Sequence, residues 1–260
     1  MHVSYRDKER LELEVDYVVV GSGAGGSAAA IVLARAGWRV ALIEAGAWLD
    51  PADYPWSMLG TMRDTFPDWG ARVAVGNALM PIVQGEMVGG SCVINSAIVV
   101  RTPGDVLADW RDRFGLGDVF TERAMGDAQD AIEAELQVRP TAEAELGASG
   151  RTMLAACWRL GMEHHPTDRN VSSCQAVNYC LQGCRDCGKQ TPNRTWIPEL
   201  IDCGSVVLSC APVDRVEIAK GVAVGVSGRF CEPRTKRRGG RFVVRARRGV
   251  LVAASAVCSA

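Results

Sequence analysis

The run Val18-Val19-Val20-Gly21-Ser22-Gly23-Ala24-Gly25-Gly26 constrains this chain more than any other stretch. Tyr17 to Val20 reads as a buried strand that the glycines allow to turn tightly into a helix beginning near Ala24. Gly21 permits the turn, Gly23 lets the backbone approach a pyrophosphate, and Gly26 lets the helix pack close on the sheet. The helix N-terminus then presents unpaired N–H groups and the positive end of its dipole. Ala28 to Ala36 is apolar and helical in character, and Gly37 closes it. Arg39 to Ile43 reads as the second strand, and Glu44 falls where a carboxylate accepts hydrogen bonds from a ribose hydroxyl. Strand, turn, helix, strand and acid in that order point to a bound dinucleotide. The plainer alternative is a glycine-rich turn with no ligand. An acid at Glu44 repels a 2′-phosphate, which disfavours NADP.

Composition narrows the class. A chain of 260 residues with 48% hydrophobic and 23% charged residues is long enough to bury a substantial core as one large domain or two small ones. The formal net charge of −1 provides no global field for nucleic acid or an anionic membrane. Met1 to Glu14 is charged and holds no apolar core of signal-peptide length, and no window is apolar enough for a membrane span. Ten cysteines without an export signal favour free thiols, metal ligands or an iron–sulfur site over a disulfide framework. A cytoplasmic protein is expected.

Trp48 to Pro81 is rich in Pro, Gly, Trp and Asp and reads as irregular loop with short helices. A second glycine motif follows at Gly85-Glu86-Met87-Val88-Gly89-Gly90-Ser91-Cys92-Val93-Ile94-Asn95-Ser96-Ala97. It reads either as backbone N–H groups closing on an anion or as a plain loop-to-helix turn. Val106 to Arg113, Glu122 to Leu136 and Ala148 to Leu160 show helical spacing. From Val206 the character changes to short β-runs: Val206 to Cys210, Val213 to Ile218, Ala223 to Ser227, Arg241 to Arg245 and Val250 to Ala254. The basic run Lys236 to Arg241 lies between two of these, as a solvated hairpin tip or a phosphate patch.

Cys174, Cys180, Cys184 and Cys187 fall within fourteen positions among turn-forming residues. Soft thiolates this close can converge on an iron–sulfur cluster or zinc. The spacing is not the paired arrangement of a zinc ribbon, and the thiols can equally be free in a buried glycine-rich crossing. His164 and His165, adjacent in sequence, point apart and read as loop residues.

Taken in order, the N-terminal fingerprint, Gly89 to Asn95 with Arg101-Thr102-Pro103, and Gly183 to Gln190 followed by Trp196-Ile197-Pro198 resemble the glucose–methanol–choline (GMC) oxidoreductases, FAD-dependent flavoproteins that oxidise alcohols. Val250 to Ala256 resembles that family's later strand-and-turn motif, with Ser255 where many members have glycine. The resemblance implies an α/β fold: a Rossmann-type three-layer FAD-binding domain made of segments 13–110 and 191–260. A helical and cysteine-rich segment, 111–190, is inserted between them. It implies FAD rather than NAD. Gly21, Ser22, Gly23, Ala24, Gly25 and Gly26 would hold the pyrophosphate, and Glu44 the adenosine ribose, with Ala45 next to it. Gly89, Gly90, Asn95, Ser96 and Ala97 would border the pyrophosphate and flavin ring, and Val213 would meet the adenine through its backbone. Cys174, Cys180 and Cys184 resemble the ligands of a 3Fe–4S cluster in flavoprotein subunits of bacterial sugar dehydrogenases.

The resemblance also implies a C-terminal substrate-binding sheet and a catalytic histidine that the 260 residues do not contain. The expected function is therefore the FAD-binding portion of an oxidoreductase acting on CH–OH donors of alcohol, sugar or sterol type. It is expected to be inactive alone, with no catalytic residue assigned and with a partner chain supplying the missing half. Two alternatives stay open: an iron–sulfur-bearing electron-transfer subunit and an NAD-dependent dehydrogenase.

Overall fold

The computed structural model describes residues 1–117 and 119–259. Asp118, within the expected middle segment, and Ala260, at the end of the expected last one, lie outside the described residues. In chain order the strands are β1 (His2–Val3), β2 (Leu11–Val20), β3 (Val40–Ile43), β4 (Val73–Val75), β5 (Leu79–Pro81), β6 (Val138–Pro140), β7 (Asp168–Asn170), β8 (Val206–Leu208), β9 (Val213–Ala219), β10 (Val222–Cys231) and β11 (Arg238–Val252). The α-helices are α1 (Ala24–Arg35), α2 (Met58–Thr65), α3 (Gly104–Phe114), α4 (Glu122–Glu135), α5 (Ala148–Leu160), α6 (Trp196–Asp202) and α7 (Ser255–Cys258). Two compact units divide these elements. One holds Met1–Asn95, Tyr179–Arg185 and 191–259, and the other Ser96–Asn178 and Asp186–Gln190.

The first unit is built on a seven-stranded sheet in the order β1-β8-β3-β2-β11-β10-β9. The five strands from β1 to β11 pair in parallel, and β10 and β9 extend the sheet antiparallel. All four residues of β3 are buried, as a parallel strand covered on both faces requires. Helix α1 buries Gly26, Ser27, Ala30, Ile31 and Ala34, a stripe at three- and four-residue spacing, and packs on β2, β3 and α6. The core runs from Val18, Ile43 and Leu208 to Val226, Phe230, Phe242 and Val244. Phe230 and Phe242 meet at 5.4 Å between ring centroids, and each buried ring contributes about 1.5–3 kcal/mol.

The glycine-turn strand is longer than expected, because Leu11 to Val15 pairs with the start of β11. The two runs Arg241 to Arg245 and Val250 to Ala254, read as separate strands, are one strand. The Arg247-Arg248 interruption is absorbed by a register shift against β2 between Ala246 and Gly249. There Arg247 Nε donates to Glu14 Oε1 at 2.7 Å, and the Arg248 guanidinium stacks 3.8 Å from the Trp38 ring centroid. Satisfying both cations locally lets the strand continue. Of the basic run, only Lys236 and Arg237 lie in the hairpin turn, since β11 begins at Arg238.

The second unit carries α3, α4 and α5 with the antiparallel pair β6–β7. All three helices fall within a residue or two of their expected bounds. Thr121 Oγ1 accepts the Ala124 N–H at 3.1 Å and caps α4, while Gly115 and Gly161 end α3 and α5 in the left-handed region. Lys189 is fully buried in this unit.

Candidate functional site

At the carboxyl ends of β2, β3 and β11 the first unit opens a cleft of about 630 Å³. In open α/β sheets this is where ligands bind. Gly21 turns the chain out of β2 with φ +98, and a Cβ there would stand 2.5 Å from the Ala253 carbonyl oxygen. A Cβ at Gly26 would stand 1.9 Å from the Gly21 oxygen, so only glycine lets α1 sit this close to the strand. Gly23 and Gly25 differ: a Cβ on either meets nothing within 4 Å. Gly23 is the N-cap of α1, no side chain caps it, and the first turn holds no acid. An anion-accepting helix end thus faces open space.

The second glycine motif meets the first. Gly90, at φ +57, would place a Cβ 3.0 Å from Gly23 Cα, and Gly89, at φ +95, is crowded by Val93 and Asn193. Ser22, fully buried, ties the motifs to the acid. The Gly89 N–H donates to Ser22 Oγ at 3.0 Å. Ser22 Oγ donates to Glu44 Oε2 at 2.7 Å, and the Ser22 N–H reaches the same oxygen at 3.0 Å. Gly46 N–H donates to Oε1 at 3.0 Å. Burial pushes the Glu44 carboxyl above the ordinary carboxylate range, opposed by the bonds from Gly46 and Ser22. Three of about four acceptor positions are used.

Of the expected site residues, Gly21 to Gly25, Glu44, Ala45, Gly90 and Val213 line the cleft. Gly26, in the first turn of α1, and Gly89 and Asn95 do not line it. Ser96 and Ala97 belong to the second unit, where their carbonyls accept from Arg169 Nε and the Asn170 N–H. Residue-level reading missed Pro67, Arg72, Gln84, Asp214, Arg215 and Cys258, which also line the cleft. They come from loops, a short helix and strands with no local signal. The turn after β11 carried one. Ser255, where many GMC members have glycine, has φ +73, a region that favours glycine.

The Gly183-Cys184-Arg185 motif has a packing role. Gly183, at φ +101, lets the backbone approach Tyr54, whose ring a Cβ would meet at 2.4 Å. The Arg185 guanidinium stacks 3.6 Å from the Trp56 ring centroid. Cys180 and Cys184 belong to the first unit, and Cys174 and Cys187 to the second. Cys174 Sγ accepts the Ala176 N–H at 3.4 Å. Among the described residues no three His, Cys, Asp or Glu side chains are grouped to hold a metal ion. No helix is long and apolar enough to cross a membrane.

Residues 15–260 match the family model described as GMC oxidoreductase. An uncharacterized GMC-type oxidoreductase of Mycobacterium tuberculosis is 34% identical over 215 residues, which are 82% of this chain and 34% of that protein. A long-chain-alcohol oxidase of Arabidopsis thaliana is 30% identical over 229 residues, 85% of this chain and 31% of its own length. The chain therefore spans about a third of the curated relatives it matches. Among solved structures, formate oxidase of Aspergillus oryzae superposes with a TM-score of 0.65 at 17% identity, over 96% of this chain and 46% of that one. Pyridoxine 4-oxidase from Mesorbium loti gives 0.66 at 16%, over 93% and 49%. The fold is that of a Rossmann-type FAD-binding domain, as expected.

Proposed function

This chain belongs to the GMC oxidoreductase family, and from that premise we propose that its cleft holds the FAD of an oxidoreductase acting on alcohol groups. The observation that carries the reading is the meeting of Gly90 with Gly23 over an uncapped helix end, where Gly23 and Gly25 face open space. Backbone N–H groups from Gly21 to Gly26 cradle the pyrophosphate. Glu44, fixed by Ser22 and Gly46, keeps one acceptor position for a ribose hydroxyl. The backbone at Val213 faces the adenine, and Asn95 serves the flavin end. The segments 13–110 and 191–260 make up this FAD domain, with 111–190 inserted. Bound FAD supplies hydride acceptance from the alcohol carbon. The chain's own residues hold and orient the cofactor, and among the described residues no histidine lines the cleft to take the hydroxyl proton. The names of the Arabidopsis relatives make long aliphatic alcohols the first substrate class to try.

The test is titration of the purified protein with FAD and separately with NAD, following flavin and protein fluorescence. Saturable flavin quenching that excess NAD does not reverse is the expected result. Tight NAD binding with no flavin binding would overturn the reading.

A further inference from the structure

The cofactor reading leaves the basic run Lys236 to Arg241 unused. Three of its cations are neutralised where they stand. Lys236 Nζ lies 3.0 Å from Glu86 Oε1, Arg237 Nη1 lies 2.6 Å from Asp7 Oδ1, and Arg238 pairs with Asp214. Arg241 is placed differently. In the β10–β11 register it stands directly opposite Arg229, and like charges facing each other across strands destabilise a sheet. On the edge strand β9, Arg215 pairs in register with Ser227, two residues from Arg229. All three guanidiniums line one open groove of about 520 Å³, and none of them makes an ion pair among the described residues.

The carboxylates of this groove are already engaged. Asp214 is held by Arg238, and Glu217 Oε1 accepts from the buried Ser227 hydroxyl at 2.5 Å. Arg229 Nε donates to the Gly239 carbonyl at 3.1 Å, which steadies its side chain and leaves both terminal nitrogens to a ligand. We propose that this groove binds a small molecule through a multivalent phosphate group, of which pyrophosphate is the simplest form. Guanidinium forks match phosphate oxygens bidentately, and three of them suit a polyanion better than a single carboxylate. A bound anion also relieves the Arg229–Arg241 repulsion.

Arg215 lines the cofactor cleft as well, so the experiment must separate the groove from the glycine turn. Inorganic pyrophosphate and ADP are titrated by calorimetry into the wild type, the double variant Arg229→Gln/Arg241→Gln, and Gly23→Val, whose side chain projects into the cleft. Pyrophosphate should bind the wild type, more weakly as salt rises, and about tenfold or more weakly to the double variant, while Gly23→Val, which weakens whatever binds at the glycine turn, should keep the pyrophosphate binding that the double variant loses. ADP binding without pyrophosphate binding would assign recognition to the nucleoside and overturn the proposal. So would pyrophosphate binding that Gly23→Val abolishes and the double variant keeps, or no binding at all. Folding is checked by melting. Without anion the double variant should melt no lower than the wild type, since a like-charge pair has gone, and pyrophosphate should raise the melting temperature of the wild type and Gly23→Val but not of the double variant.

Discussion

Ser22→Ala removes one oxygen and breaks two buried bonds. Ser22 Oγ donates to the Glu44 carboxylate at 2.7 Å and accepts from the Gly89 N–H at 3.0 Å. A hydrogen bond to a charged group contributes about 1.5–3 kcal/mol, and a buried N–H left without a partner costs about 1–3 kcal/mol. The expected loss is roughly 3–5 kcal/mol, a large share of the typical 5–15 kcal/mol of a folded domain. Ser27→Ala is the control, equally buried and making one neutral bond, from Ser27 Oγ to the Ser22 carbonyl at 2.7 Å; it should cost about 1 kcal/mol. Urea unfolding reads both, with the midpoint falling and the slope unchanged. A pH series adds a sign. Burial already raises Glu44 in the folded state, so its charged form is disfavoured there and stability falls as pH rises through the folded value. Removing the Ser22 hydroxyl bond raises that value further, the Ser22 N–H bond to the same oxygen remaining. The gap between wild type and Ser22→Ala should therefore widen as pH climbs above the ordinary carboxylate range, until Glu44 is ionised in both. A loss no larger than that of Ser27→Ala, or a gap independent of pH, would refute the reasoning.

Gly23→Val should leave the melting temperature nearly unchanged, because its Cβ meets no atom within 4 Å, yet weaken FAD binding at least about tenfold by filling the pyrophosphate space. Gly26→Ala should do the reverse at the level of folding, destabilising by several kcal/mol as its Cβ is driven into the Gly21 carbonyl at 1.9 Å; parallel melting curves and flavin titrations check both. FAD-loaded protein assayed alone with an artificial electron acceptor should not turn over long-chain alcohols, sugars or sterols, because among the described residues no histidine lines the cleft. Robust turnover would place the base elsewhere in these residues. Anaerobically purified protein should contain no iron or acid-labile sulfide, since no three ligands gather among the described residues; stoichiometric iron lost on Cys174→Ser, Cys180→Ser or Cys184→Ser would show that the thiols rearrange to form a cluster.

What the chain reveals by itself is local or strictly ordered. The turn at Gly21 and the close approach at Gly26 are legible because each demands a missing Cβ within a few residues of sequence. The bounds of α1, α4 and α5 follow from apolar spacing. Glu44 is legible as the acid after the second strand, but not that Ser22 would fix it or that Gly89 would lean on the same hydroxyl 67 residues away. The first contact exists because parallel pairing of β2 and β3 brings Val20 beside Ile43, and the second because the later glycine loop packs on Gly23. The same holds for failures of local reading. Arg247-Arg248 looks like a strand break until Glu14 and Trp38 take up the two cations. Arg215, Arg229 and Arg241 have no sequence pattern in common. Strand register alone gathers them, because side chains on one sheet face are neighbours by pairing and not by position along the chain.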